Sequence, residues 1–131
     1  MKKSYKFLIS ILLLIILVLS VRFFIGGNED SWIKDGRGVW IKHGNPAETP
    51  SYVLEQQQLI DQAKQLFVNY TGNLSNGPCL GAVGNYVVDI VHNPRQSVDN
   101  LPENQCEDYK SGNLKNFMEL DENGEVVRVV D

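Results

Sequence analysis

An apolar run near the start of the chain constrains it more than any other feature. Between residues 7 and 25 only Ser10, Ser20 and Arg22 are not apolar, and no acidic residue occurs before Glu29. Nineteen helical residues span roughly 28 Å, close to the hydrocarbon thickness of a bilayer. Lys2, Lys3 and Lys6 flank the run on its N-terminal side, and Glu29 and Asp30 follow it. That asymmetry predicts a cytoplasmic N-terminus and a domain on the outer side. The expected organisation is a cytoplasmic stub and transmembrane signal-anchor over residues 1–27, a short tether over 28–31 and an extracytoplasmic domain over 32–131. The lipid bilayer is then the first partner, and Arg22 is placed to snorkel to the headgroups. A cleaved signal is the competing reading, with Val18 and Ser20 as the small-residue site, and it too puts the domain outside, secreted. A pilin-like filament subunit is a further alternative and predicts N-terminal processing.

Residues 28–131 hold 8 basic and 16 acidic side chains. Such an excess of negative charge argues against nucleic acid as a partner, because phosphate binding needs clustered Lys and Arg. The segment is long enough for one small core.

Trp32-Ile33-Lys34-Asp35-Gly36 is echoed by Trp40-Ile41-Lys42-His43-Gly44, with Asp-Gly-Arg-Gly as a turn between the two. A β-hairpin is expected, with Trp40 in the core. Thr49 and Pro50 read as N-cap and first residue of a helix over 51–70. Its apolar arc holds Tyr52, Val53, Gln56, Leu59, Ile60, Ala63, Leu66, Phe67 and Tyr70. Residues 72–81 read as a loop. Residues 86–92 form an apolar strand broken only by Asp89 and His92, the pattern of a central strand. Residues 94–114 are polar and aperiodic, and a loop of that length in a small domain is functional or pinned. Residues 116–120 and 126–130 form a closing hairpin around Asp-Glu-Asn-Gly, a type I turn followed by a left-handed glycine. The expected fold class is α+β: after the membrane helix, one amphipathic helix packed on a mostly antiparallel sheet in two layers.

The closing stretch FMELDENGEVVRVVD resembles the last hairpin of PepSY-type domains, and the order of elements is similar to cystatin-like and PepSY-type rolls. The resemblance implies a roll-shaped sheet around one helix and an extracytoplasmic inhibitory or binding role. It carries over no individual residue.

Cys79 and Cys106 are expected to pair, since two cysteines of a small domain outside the cytoplasm meet an oxidising environment. The bridge would tie the segment before the central strand to the long loop after it. The best functional reading is a binding or interaction domain for an unidentified protein or surface ligand. Its candidate surface is the long loop with Gly44-Asn45-Pro46, and the side chains singled out are His43, Asn45, His92, Arg95, Asp99 and Glu103. The rival reading is a small extracytoplasmic enzyme using His43 and His92 with a cysteine or a carboxylate. No catalytic set, cofactor motif or metal-ligand spacing stands out. Asn69 and Asn73 open N-x-Ser/Thr sequons and are glycosylation candidates.

Overall fold

The computed structural model describes residues 4–25 and 30–131, with side chains for residues 5–21 and 30–131. The chain divides into two units, Met1–Ser31 with Lys42–Ala47, and Trp32–Ile41 with Glu48–Asp131.

The first unit is built on helix α1, Ser4–Ile25, which has no polar face: Leu8, Leu13, Leu14, Leu17 and Leu19 are all exposed. Among the described residues no helix is long and apolar enough to cross a membrane. The described residues therefore do not by themselves support the expected transmembrane anchor. Lys2, Lys3, Gly26, Gly27, Asn28 and Glu29 lie outside the described residues, as does the side chain of Arg22. That leaves the basic flank, the snorkelling arginine and half of the tether outside them.

Strands β1 (Ser31–Lys34) and β2 (Trp40–His43) pair as the expected hairpin. Asp35 organises its turn: Oδ1 accepts from the Arg37 and Val39 N–H groups at 2.9 and 3.1 Å. Helix α2, Ser51–Asn69, begins one residue later than the Thr49-Pro50 reading placed it. Pro50 is the N-cap residue, and its carbonyl accepts from both Val53 and Leu54 N–H, so the turn closes on the backbone instead of a threonine hydroxyl. Gln56, which sits among the apolar residues of the predicted arc, is buried. Its amide donates to the Gly38 carbonyl at 2.9 Å and accepts from the Trp40 N–H at 2.8 Å, satisfying two backbone groups of the hairpin. Trp40 itself is half-buried, packed on Tyr52 with ring centroids 4.7 Å apart.

The second unit's main sheet has the order β3 (Cys79–Val83), β4 (Tyr86–Ile90), β5 (Asn116–Leu120), β6 (Val126–Val130). The fold is α+β as expected, but the sheet is mixed: β3–β4 and β5–β6 are antiparallel, while β4 and β5 run parallel. β4 is the inner strand that its sequence predicts. β3 replaces the end of the expected loop; its register shifts between Cys79 and Gly81, so no clean alternation marks it in the sequence. The β5–β6 turn is as expected. Asp121 Oδ1 accepts from Asn123 and Glu125 N–H, and Gly124 has φ +81°. A Cβ there would also sit 2.8 Å from the Phe67 ring, so both conformation and space call for glycine.

Parallel neighbours cannot be joined by a tight turn; they need a crossover of a dozen or more residues. Residues 91–115 are that crossover. They hold two 3₁₀ turns (Ser97–Asn100 and Pro102–Asn104) and the short helix α3 (Glu107–Lys110), where the sequence predicts an irregular loop. The Asn93–Pro94 peptide is cis. The Cys79–Cys106 disulfide is formed, with Cα atoms 5.0 Å apart, and fastens the crossover to β3. The main core lies on the sheet's other face, where Val88, Ile90, Met118, Leu120 and Val129 pack with Ala63, Leu59 and Phe67 of α2.

Candidate functional site

Strand alternation divides β4 between two environments. Tyr86, Val88 and Ile90 belong to the α2 core, whereas Val87 and Asp89 face the crossover. The parallel register sets Val87 beside Phe117 and Asp89 beside Glu119. On the flanking strands Cys79 pairs with Asp89, and Arg128 with Glu119. Three carboxyl-bearing or basic side chains thus stand in a row across three strands, on the face that the crossover covers.

Between this face and the crossover lies a cavity of about 210 Å³. Asp89, Glu119 and Phe117 line it from the sheet, and Arg95, Asp99 and Tyr109 from the crossover. Tyr109 meets Phe117 edge to face at 5.4 Å, an arrangement that aromatic quadrupoles favour. The Arg128 guanidinium lies over the Phe117 ring itself, 4.8 Å from its centroid.

The three carboxyl groups are treated differently. Glu119 is buried and doubly paired: Arg95 Nη1 donates to Oε1 at 2.7 Å, and Arg128 Nε lies 3.2 Å from Oε2. Arg95 also donates through Nε to Asn100 Oδ1 at 3.0 Å, so it links the crossover's own fold to the sheet. Asp99 is fully buried. Its Oδ2 accepts from the Gln96 and His92 N–H groups at 2.8 and 3.1 Å, and its Oδ1 lies 2.7 Å from His92 Nδ1. Burial pushes the Asp99 carboxyl up, but those donors and the imidazole together bring it below the usual range. The same hydrogen bond raises the His92 imidazole above its ordinary value, against the opposing effect of burial. His92 Nε2 is 3.6 Å from Glu122 on the β5–β6 turn.

Asp89 is the exception. Its Oδ1 is buried and has no hydrogen-bond partner among the described residues. Burial, with the neighbouring charge of Glu119, pushes its carboxyl up to about 7, although the Ile90 backbone N–H and Arg95 act the other way. A carboxyl poised near neutrality in a cavity is a common property of functional sites.

Of the side chains singled out in the sequence, Arg95 and Asp99 line this cavity and His92 supports Asp99 from behind. Glu103 is exposed on the second 3₁₀ turn. His43 and Asn45 belong to the first unit, both exposed; the Asn45 N–H donates to Asp30 Oδ1 at 2.9 Å. Cys79 and Cys106 are bonded to each other, so neither offers the thiol that the cysteine form of the enzyme reading uses. Asn69 ends α2 and is exposed, while the Asn73 side chain accepts from the Ser75 N–H and hydroxyl at 2.9 and 2.8 Å. Sequence reasoning missed Asp89, Glu119, Tyr109 and Phe117 as members of one site. Asp89 carried a signal, as the one acid inside an apolar strand; the others carried none.

The fold and cavity define an α+β domain whose sheet carries a hollow lined by charged and aromatic side chains, with Cys106 of the disulfide in its wall. No protein-family model, curated protein or solved structure matches the chain.

Proposed function

We propose that this chain is a membrane-anchored extracytoplasmic binding domain, and that its binding element is the crossover 91–115 with the cavity beneath it. The observation that carries the reading is the hollow itself. It holds a buried carboxyl oxygen of β4 without a partner among the described residues, beneath a segment otherwise fastened by a disulfide and by the Arg95–Glu119 ion pair. Chains do not ordinarily leave such an oxygen unsatisfied, since desolvating it costs about 1–3 kcal/mol. A ligand group that fills the hollow removes the penalty. Anchoring and outer location draw support from the apolar 7–25 run, the basic residues before it, the exposed leucines of α1 and the disulfide.

The test is site-specific photo-crosslinking of the full chain in its native membrane. A photoreactive residue replaces Tyr109, at the cavity, or Gln58, on the exposed side of α2. Adducts at position 109 and none at 58 support the reading; equal yields, or none, overturn it. Intact mass on the same material checks the anchor: a full-length chain, lighter than its reduced form by about 2 Da, is expected for one disulfide. A chain shortened to residue 21 or beyond overturns the anchor in favour of a cleaved signal.

A further inference from the structure

We propose that the cavity takes a primary ammonium group, with Asp89 as its counter-ion and Tyr109 and Phe117 as its aromatic walls. The inference rests on reading the cavity as a binding site and names the chemistry of what enters it. Its first support is an inventory of charge. Glu119 already has two guanidinium partners, and Asp99 has an imidazole and two backbone N–H groups. Among the described residues, Asp89 Oδ1 is the buried carboxyl oxygen without a donor. Arg95, the one basic side chain lining the hollow, is committed to Glu119 and Asn100, so an anion would find no unshared cation. A divalent metal is disfavoured too: among the described residues no group of three or more His, Cys, Asp or Glu is placed to hold one.

The second support is that the chain builds the same kind of site elsewhere and fills it itself. Lys34 Nζ lies 2.6 Å from Asp131 and 5.4 Å from the centre of the Trp40 ring. There an ammonium is held by one carboxylate and one aromatic face, the pairing expected from charge and ring quadrupole. At the cavity the carboxyl and the rings are present and no lysine reaches them among its lining residues. An ammonium on a slender alkyl stem suits a hollow of about 210 Å³ flanked by rings; the two guanidinium groups nearby lie against Glu119, and Arg128 also lies over Phe117, which leaves Tyr109 as the ring without a cation of the chain against it among the described residues.

Charges facing Asp89 come from each surrounding element: Glu119 on β5, Arg128 beyond it on β6, and Arg95 and Asp99 on the crossover. Binding a cation against them requires Asp89 to be ionised, so the ammonium displaces its proton. Below the carboxyl's midpoint near 7, affinity should then fall as protons compete.

The experiment is an NMR or calorimetric titration of the full chain in detergent micelles with n-propylammonium chloride, its neutral counterpart n-propanol, and a blocked lysine peptide. Expected are saturable binding of n-propylammonium in the range of about 1 mM, no saturable binding of n-propanol, and affinity about 30-fold greater at pH 8 than at pH 5.5. D89N, whose amide matches the neutral acid in shape and should fold, is expected to lose at least about tenfold at pH 8 and to abolish the pH dependence. Tyr109→Leu is expected to weaken binding about 3–10-fold with the pH dependence intact. Tighter binding of the peptide than of the amine assigns the ammonium to a protein lysine; the reverse assigns it to a small amine. Absence of saturable n-propylammonium and peptide binding at pH 8, equal binding of n-propanol, or binding unchanged in D89N overturns the inference. Crosslinks at position 109 that persist under such a failure would leave the binding site standing and the ammonium refuted.

Discussion

The two faces of the main sheet use the same strands for opposite ends. Toward α2, Val88, Ile90, Met118 and Leu120 are fully buried and their neighbours are apolar. One residue along each strand, Val87, Asp89, Phe117 and Glu119 look into the crossover, where carboxyls, guanidinium groups and rings meet around a hollow. The first face is a packed core, where every methylene contributes. On the second, a 25-residue crossover with little regular structure has to be held down by a covalent bond and ion pairs. Stability should therefore reside in the α2 face, and responsiveness to ligand, redox state and pH in the crossover face.

The largest expected effect tests the first half of that contrast. Ile90→Ala removes a fully buried side chain from the core on the α2 face and should cost about 2–5 kcal/mol in chemical denaturation. A loss below about 1 kcal/mol would mean that α2 is loosely packed and that the contrast between faces is wrong.

Reducing the disulfide tests the second half. The bridge spans a sequence separation of 27, and opening it should cost about 3–4 kcal/mol by the chain-entropy account. The loss should be local in its dynamics. Hydrogen exchange is expected to accelerate across residues 97–112 while the β4 amides, held between β3 and β5, keep their protection. Uniform acceleration through α2 and the sheet would show that the crossover is part of the core instead of a strap across it.

Asp89 makes the polar face pH-dependent. Its folded pKa, about 7, lies above the ordinary 3.8, so the folded state holds a proton that the unfolded chain releases earlier. Its contribution is full below about 3.8 and is lost as pH rises through about 7. Asp89→Asn should therefore leave stability at pH 4 nearly unchanged and raise it by about 1–3 kcal/mol at pH 8, with the slope between them flattened. A variant as pH-sensitive as the native chain would place the titration elsewhere.

How much of this was legible depends on what each residue's role required. The α2 arc and the closing hairpin declare themselves, because periodicity and turn chemistry are local. Even Gln56 falls in the arc, although only the structure explains a glutamine there: it serves the backbone of Gly38 and Trp40. The disulfide was expected from the count of two cysteines and from the outer location that the apolar run predicts. The parallel pairing of β4 and β5 leaves no mark on either strand, since a short apolar run reads the same in both directions; the sole hint was the length of what joins them. Glu119 is invisible for a related reason. In an ordinary closing hairpin its side of the strand faces water, and it is buried here only because the crossover returns over it.

The smallest expected effect concerns His92 and Asp99, at the margin of the hollow. Hydrogen bonding to Asp99 raises the imidazole, so its NMR titration midpoint should lie above the ordinary 6.5. Its contribution to stability is present below 6.5 and is lost as pH rises through the elevated folded value. Asp99→Asn should return the midpoint toward 6.5, because the residual influence of Glu122, 3.6 Å away and half-exposed, is weak. The energetic consequence of losing the imidazole is modest by construction. Asp99 still accepts from the Gln96 and His92 backbone N–H groups, so the carboxylate is not stranded when the ring is removed. Asp99→Asn should accordingly destabilise the first 3₁₀ turn more than His92→Ala does, read as faster exchange at residues 97–100. The opposite order would mean that the ring, and not the backbone cap, holds the start of the crossover in place.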